Sequence, residues 1–216
     1  MKKLRFLPLL ALCLALMCTG CSGGFDASGY VSATLKNLYL DDSTEYLELV
    51  ESTPEEAHQI YLEGIETESQ IFYNYMSFDT DYITDETKQR VIDLYQQIYS
   101  FSKFEVDAAN KSGSGYTVVV RIYPIDIFVK ASDELDAYVD VFAKKIENGD
   151  YASSTDAELE AAYQDGLLKI LEEKARSSID YLDPIEQTVQ IKEDTDGLWG
   201  MSTEDFQNLD QYIIQY

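Results

Sequence analysis

Residues 116–125, YTVVVRIYPI, decide the fold class of this 216-residue chain. Every second residue from Tyr116 to Ile122 is large and apolar, whereas Thr117 and Arg121 alternate with them. A period of two is typical of a β-strand that packs one face against a core. The stretch therefore predicts a half-buried strand, and the segments on either side of it indicate its partners.

Two β-hairpins are predicted from this pattern. Residues 103–108 alternate in the same way, and the Gly/Ser-rich turn 111–115 joins them to residues 116–125. Residues 187–201, QTVQIKEDTDGLWGM, form the second predicted hairpin, because an Asp-Gly pair separates two apolar runs. This hairpin is expected to place one apolar pair opposite another: Val189 and Ile191, Trp199 and Met201.

Helical patterns dominate the rest of the chain. Apolar residues recur every three or four positions in five segments: 30–40, 53–75, 84–101, 135–146 and 155–171. Thr53 with Glu56 and Thr155 with Glu158 have the spacing of capping boxes, which begin helices. The chain therefore reads as helices followed by a hairpin, twice, and we predict an α+β fold with amphipathic helices packed on antiparallel hairpins.

The order of elements indicates an internal repeat. Residues 53–65, TPEEAHQIYLEGI, align without gaps on residues 155–167, TDAELEAAYQDGL. We predict two units, 30–127 and 128–216, either separate or joined in one continuous domain. The alternative is that two helices with the same cap resemble each other by chance. A glycine inside a helix costs about 1 kcal/mol relative to alanine, so Gly64 and Gly166 predict close approach of a neighbouring element.

The N-terminus has the pattern of an export signal. A basic start, MKKLR, precedes an apolar run of about 13 residues, which is shorter than the roughly 20 that a membrane-spanning helix needs. Residues 18–21, CTGC, resemble the bacterial lipobox, although Cys18 stands where leucine is usual. We therefore predict that residues 1–20 are a lipoprotein signal peptide and that Cys21 is the lipid-attachment site.

The predicted anchor also gives a location. A diacylglycerol group on Cys21, with about 0.8 kcal/mol per buried methylene, would hold the protein at the outer face of the bacterial cytoplasmic membrane. Residues 21–29, CSGGFDASG, are then the lipidated cysteine and a Gly/Ser tether. All three cysteines lie at or before position 21, which fits a protein that avoids free thiols outside the cell.

Charge excludes some partners. Loss of residues 1–20 removes three basic residues and no acid, which takes the formal charge from −24 to −27. Nucleic acid is excluded because phosphate binding needs clusters of Lys and Arg. Anionic lipid is opposed for the same reason, so the acyl chains rather than charge would hold the protein to the membrane. The 17 tyrosines argue against disorder.

The sequence contains few residues suited to catalysis. After Cys21 it has one histidine, His58, and no cysteine, so zinc and nucleophilic chemistry are disfavoured and no cofactor is predicted. Ser100 and Lys103 match the S-x-x-K pattern of penicillin-recognising enzymes, but their context differs and we interpret the match as coincidence. Two facing carboxylates would suffice for a glycan hydrolase, and this remains the enzymatic alternative.

Two binding sites can be considered. Asp79, Asp81 and Asp85 are weak calcium candidates, with a plain acidic loop as the alternative. A set of tyrosines on neighbouring helices could offer apolar area with polar tips to a sugar or peptide. Its alternative is ordinary core packing at helical spacing, and the set comprises Tyr73, Tyr75, Tyr82, Tyr95 and Tyr99.

Several motifs together carry a family resemblance. Besides the lipobox, they are GYV at 29–31, TPEEA at 53–57, FEVDAAN at 104–110, GYTVVVRIYPIDIF at 115–128 and MSTEDF at 201–206. This pattern resembles uncharacterised lipoproteins of Gram-positive gut bacteria of the Firmicutes type, a family that supplies no activity or site residues to transfer. The element order also resembles NTF2-like and cystatin-like folds, which is an analogy at the level of fold alone.

The sequence thus predicts a membrane-anchored, non-enzymatic binding or protein-interaction module. Its ligand would be a protein, a peptide or a glycan. The alternatives are the carboxylate-based glycan hydrolase at the cell surface and an accessory protein of a neighbouring exported system.

Overall fold

The computed structural model describes residues 25–177 and 179–216, so the predicted signal peptide and the predicted lipid site at Cys21 lie outside the described residues. The fold is α+β, as predicted. Helices precede a set of strands twice, and one further helix follows. The elements are α1 (Ala27–Leu40), α2 (Thr44–Leu49), α3 (Pro54–Tyr75), a 3₁₀ turn (Thr80–Tyr82), α4 (Asp85–Tyr99), β1 (Lys103–Val106), β2 (Asn110–Ser112), β3 (Gly115–Tyr123), α5 (Ile127–Glu147), α6 (Asp156–Ser177), β4 (Ile185–Glu193), β5 (Trp199–Met201) and α7 (Thr203–Asp210).

All the strands belong to one sheet with β3 and β4 at its centre. Its order is β1-β3-β4-β5, and β2 also pairs with β3. The predicted strand at 116–125 is β3, and it pairs antiparallel with β4 from Tyr116–Ile191 to Ile122–Ile185. The two predicted hairpins are therefore parts of the same sheet.

The second hairpin forms with a register that differs in part from the expected one. Ile191 and Met201, one residue of each apolar pair, lie opposite each other, whereas Trp199 pairs with Glu193. Val189 pairs with Val118 on the other side, in β3. The turn that the Asp-Gly pair predicted is present, with Gly197 at φ +82°, and a longer loop accounts for the shift.

The described chain forms two compact units that draw on separated stretches. The first holds the described residues up to Tyr61 together with Phe104–Ile122 and Ile185–Tyr212, and the second holds Leu62–Lys103, Tyr123–Pro184 and Ile213–Tyr216. These units are not the predicted halves 30–127 and 128–216, because the pairing of β3 with β4 brings strands from both halves into one sheet. The proposed duplication itself stays a prediction.

The first unit has its core on one face of the sheet. Val118, Val120 and Ile122 of β3 are at most 1% exposed, and Val189 and Ile191 of β4 continue this layer. Burial of each such side chain contributes roughly 1.5–3 kcal/mol. Helices α1 and α2 contact each other in this unit, and α7 packs against β4.

Helix α7 was not predicted from the sequence, although its start signal is present. Ser202 accepts a hydrogen bond from the backbone N–H of Asp205 at 3.0 Å, which is the geometry of an N-cap. The Asp205 carboxylate in turn accepts from Ser202 Oγ and from the backbone of Gln190 in β4. These bonds join the start of α7 to the sheet.

The second unit is mainly helical, and its core is aromatic. Helix α6 packs against α4 and α5. Phe72, Tyr95 and Phe128 are at most 1% exposed, and Phe72 makes ring contacts with both of the others. Helix α5 begins at Ile127, earlier than the predicted stripe at 135–146, and its first turn supplies Phe128 to this core.

The two predicted capping boxes both form. The Glu56 backbone N–H donates to Thr53 Oγ1 at 3.2 Å, and the Glu56 carboxylate accepts from the backbone of Thr53 at 2.9 Å. Thr155 and Glu158 make the same pair of bonds at 2.8 and 3.2 Å. Each box begins a helix of 22 residues, α3 or α6, so these helix starts are encoded locally.

The two glycines of the repeat have different surroundings. A Cβ on Gly166 would overlap the ring of Tyr138, whose hydroxyl donates to the carbonyl of Ala162 at 2.8 Å. A Cβ on Gly64 would meet nothing within 4 Å. Close approach of a neighbouring element is therefore confirmed at Gly166 and wrong at Gly64.

Candidate functional site

The five tyrosines considered for a binding face do not share one accessible surface. Tyr73, Tyr95 and Tyr99 are at most 4% exposed and belong to the core of the second unit, which is the core-packing alternative. Tyr82 is half-buried in the 3₁₀ turn. Tyr75 is 49% exposed at the end of α3, and it is the member of the set that offers a ring to solvent.

Tyr75 belongs to a cluster in the second unit that we call the Tyr75 cluster: Glu68, Tyr75, Tyr95, Phe128 and Tyr216. The Tyr75 ring contacts Tyr216 edge-on at 5.1 Å and Phe128 at 5.8 Å between centroids. Phe128 and Tyr216 stack on each other at 4.5 Å. Edge-to-face and offset-stacked pairs of this kind are favourable geometries for aromatic rings, so the exposed ring is held on a firm apolar base.

A polar chain lies behind these rings. The Tyr216 hydroxyl donates to Glu68 Oε2 at 2.8 Å, and the Tyr95 and Tyr216 hydroxyl oxygens are 2.6 Å apart. Because the Tyr216 proton is directed at the carboxylate, Tyr95 donates to Tyr216. Glu68 is 8% exposed, so its carboxylate is satisfied from within the protein.

Burial fixes the protonation of the two tyrosines. It raises the pKa of Tyr95 and of Tyr216 well above the ordinary value, and the nearby Glu68 carboxylate acts in the same direction. Desolvation penalises the charged form, so both hydroxyls stay protonated at neutral pH. The hydroxyls of Tyr95 and Tyr216 are thus neutral hydrogen-bonding groups within the cluster.

Sequence reasoning identified Tyr75 and Tyr95 but not the other three members that complete the cluster. Phe128 lies in the first turn of α5, and Tyr216 follows α7. Both residues are therefore far along the chain from α3. In the sequence, nothing distinguishes Glu68 from the many other acidic residues of the chain. A helical-spacing pattern reports which residues share a helix face, and it does not report which distant segments cover that face.

The calcium candidates are not assembled as a metal site. Asp79 accepts from the backbone of Asp81 at 3.1 Å at the start of the 3₁₀ turn, and Asp85 lies in the first turn of α4 beside Lys88. Within residues 25–177 and 179–216, no group of three or more His, Cys, Asp or Glu side chains is placed to hold a metal ion.

Charged side chains elsewhere in the second unit form ion pairs. Arg90 donates to Glu172 at 2.8 Å and to Asp165 at 3.0 Å, and Lys169 lies 2.7 Å from the other oxygen of Asp165. Lys169, and then Arg90, lower the pKa of Asp165. In the first unit, His58 Nδ1 lies 2.8 Å from Asp41 Oδ1, so the single histidine is engaged with a carboxylate.

The first unit contains a separate N-terminal aromatic cluster: Phe25, Tyr30, Tyr116 and Trp199. Phe25 stacks on Trp199 with 4.9 Å between centroids and 10° between planes. Phe25 also contacts Tyr30 at 5.7 Å and Tyr116 at 6.1 Å. The sequence predicts a tether over 21–29, and the structure places the later part of this range in α1, which begins at Ala27, and in the aromatic cluster through Phe25.

The helices give no membrane span: in the part of the chain that the structure describes, none is both long and apolar enough to cross a bilayer.

Comparison with known proteins yields a likeness of fold. Neither a protein-family model nor a curated protein matches the sequence. Among solved structures, the chain is similar to the crystal structure of "a putative lipoprotein (ycdA)" from Bacillus subtilis, with a TM-score of 0.62 and 14% sequence identity. The likeness covers 88% of this chain, which spans 56% of that chain. At this identity the likeness shows the fold alone.

Proposed function

We propose that the chain is a lipoprotein, anchored by a diacylglycerol group on Cys21 at the outer face of the cytoplasmic membrane, and that it acts as a non-enzymatic binding module. The lipobox-like residues 18–21 and the short apolar run before them support the anchor. The fold likeness to the Bacillus subtilis protein described as "a putative lipoprotein" supports the same assignment. The resemblance to lipoproteins of Gram-positive gut bacteria is in line with both.

The exposed ring of Tyr75 is the observation that carries the binding proposal. It stands 49% exposed on Phe128 and Tyr216, and tyrosine offers large contact area at a low cost in side-chain entropy. Burial raises the pKa of Tyr95 and of Tyr216 behind it, so both hydroxyls stay protonated at neutral pH. These features favour recognition over proton transfer.

The planar Tyr75 ring and the negative charge of the chain limit the classes of ligand that the site could bind. A planar ring on an apolar base favours the face of a sugar or the side chains of an apolar peptide. The formal charge of −24 opposes anionic ligands, including nucleic acid. We therefore propose a neutral or cationic glycan or peptide, free or displayed on a protein partner.

Thermal unfolding of residues 22–216 tests this proposal. We would measure Tm with neutral oligosaccharides, soluble peptidoglycan fragments, apolar and basic peptides, and calcium. A ligand at 100 times its Kd adds about 2.7 kcal/mol to stability, which for a chain of this size is a rise of several degrees. We expect a glycan or peptide to raise Tm and calcium to leave it unchanged.

Two tyrosine variants make the test specific. Tyr75→Ala removes the exposed ring, and Tyr82→Ala removes a half-buried tyrosine from a different element. We expect the ligand-induced rise to disappear in Tyr75→Ala and to persist in Tyr82→Ala. A rise that survives Tyr75→Ala would move the site elsewhere, and no rise with any ligand would contradict binding of these two classes.

A further inference from the structure

The N-terminal aromatic cluster holds the chain immediately after the predicted tether. Phe25 lies between α1 and the sheet and contacts Tyr30 of α1, Tyr116 of β3 and Trp199 of β5. Tyr116 and Trp199 also contact each other at 5.3 Å. One residue later, Asp26 caps α1 by accepting from the backbone of Gly29 at 2.9 Å. The described chain is thus fixed in place from its first residue.

Because Phe25 is held in the aromatic cluster, the tether that follows Cys21 is shorter than the predicted one, which reaches residue 29. If Cys21 carries the lipid, three residues separate it from Phe25, and the two Cα atoms are at most about 14 Å apart. A tether reaching to residue 29 would allow about twice that distance. Trp199, stacked on Phe25 at 4.9 Å, then lies within about 25 Å of the lipidated residue.

We propose that the N-terminal aromatic cluster is the membrane-facing end of the first unit, and that Phe25 locks the lipid tether to β5 so that Trp199 is held close to the lipid headgroups. The partner of this surface is the bilayer that carries the anchor. The inference rests on the proposed lipid attachment at Cys21, and it adds which part of the first unit faces the membrane.

The negative charge of the loop beside the N-terminal aromatic cluster determines which lipid is suitable for the test. Glu193 at the end of β4, and Asp194 and Asp196 in the loop before β5, are exposed acids close in sequence to Trp199. Anionic headgroups would repel them over a Debye length, which is about 8–10 Å at ordinary ionic strength. A zwitterionic bilayer removes this repulsion, so the measured distance reports the tether alone.

Energy transfer from Trp199 provides the measurement, because it is the single tryptophan of the chain. The full chain, matured and lipidated, is incorporated into phosphatidylcholine vesicles that contain a dansyl-labelled phosphatidylethanolamine as acceptor at the headgroups. We expect strong transfer in the wild-type protein and in Phe25→Tyr, which keeps the ring. Insertion of ten Gly/Ser residues between Gly24 and Phe25 should lower the transfer by about twofold.

Phe25→Ala tests the lock itself. Loss of the ring releases the tether from β5, so transfer should fall below that of Phe25→Tyr, and Trp199 emission should shift to longer wavelength in both vesicle-bound and soluble protein. Circular dichroism and thermal unfolding of each variant report whether the fold is intact. A folded Phe25→Ala variant with wild-type transfer would overturn the proposal, as would an insertion variant with unchanged transfer.

The two proposals fail in different ways. Cys21→Ser should abolish co-sedimentation with vesicles. If the wild-type chain does not co-sediment either, the lipid anchor is wrong. If it co-sediments and transfer is equal in wild type, insertion variant and Phe25→Ala, the anchor stands and the membrane-facing role of the aromatic cluster is wrong.

Discussion

Tyr216 serves two partners with one hydroxyl group. It donates to Glu68 at 2.8 Å and accepts from Tyr95 at 2.6 Å, so it is the centre of the polar chain behind the Tyr75 ring. Chains of this kind are strengthened in a low-dielectric interior, and a broken chain leaves buried groups without partners. At the scale of single residues, the stability of the core of the second unit therefore depends more on the Tyr216 hydroxyl than on the Tyr95 hydroxyl beside it.

Substitution of Tyr216 by Phe is expected to destabilise the protein by about 1–3 kcal/mol, because it removes the donor to Glu68 and the acceptor of Tyr95 together. Tyr95→Phe removes one bond and leaves the bond to Glu68 in place, so its cost should be about 0.5–1.5 kcal/mol. Urea unfolding at neutral pH measures both variants. An equal or larger cost for Tyr95→Phe would contradict the central position of Tyr216 in the chain.

The scale of elements separates what local sequence encodes from what tertiary packing decides. The capping boxes at Thr53 and Thr155 were predicted and form, because both partners lie within four residues of each other. Glycine at 64 or 166 looks the same in the sequence. Only the position of Tyr138 distinguishes them, and that position depends on how α5 packs against α6.

Alanine at the two glycines makes a matched pair of variants. Gly64→Ala should stabilise the protein by up to about 1 kcal/mol, since alanine favours the helix and the site has room. Gly166→Ala should destabilise it by about 1–3 kcal/mol, because the new Cβ displaces the Tyr138 ring and strains its hydrogen bond to Ala162.

Thermal and urea unfolding of both variants measure whether each substitution raises or lowers the stability of the protein. The same sign for both would show that the Tyr138 ring moves aside without cost, which would contradict the expected destabilisation by Gly166→Ala.

At the scale of the whole chain, the fold class could be predicted and the pairing of distant segments could not. Strand alternation and helical stripes are local patterns, so α+β and the order of the longer helices and strands followed from them, whereas α7 did not. The β3–β4 pair, the aromatic partner of Phe25 and the members of the Tyr75 cluster join segments far apart in sequence. Those contacts depend on which apolar faces meet, and many faces of this chain are alike.

The tyrosine-rich interior predicts sensitivity to alkali. Burial raises the pKa of Tyr61 and of Tyr138 to about 12, and the same cause raises the pKa of other tyrosines in both units. The others are Tyr30, Tyr46, Tyr73, Tyr95, Tyr163, Tyr181 and Tyr216. Their folded pKa values exceed the unfolded value near 10, so their contribution is complete below about pH 10 and is lost as pH rises through the folded values.

Urea midpoints measured from about pH 8 to pH 11 should therefore fall above about pH 10, as tyrosinate absorbance appears with unfolding. Loss of lysine charge in the same range adds repulsion to an already acidic protein. A parallel series in about 1 M salt, where the Debye length is about 3 Å, suppresses that repulsion. A midpoint that stays constant to pH 11 in high salt would contradict the tyrosine origin.

The pairing of β3 with β4 has a consequence for the order in which the chain can fold. Partners such as Ile122 with Ile185 and Tyr116 with Ile191 are about 60–75 residues apart, so the central strand pair closes a long loop. Contacts of this kind slow folding. As the chain emerges from a ribosome or a translocon, β3 appears well before its partner and exposes an unpaired edge until residues 185–193 follow. A nascent chain that pauses between α5 and β4 is thus at greatest risk of pairing with another copy, and prompt synthesis of residues 185–193 would protect it.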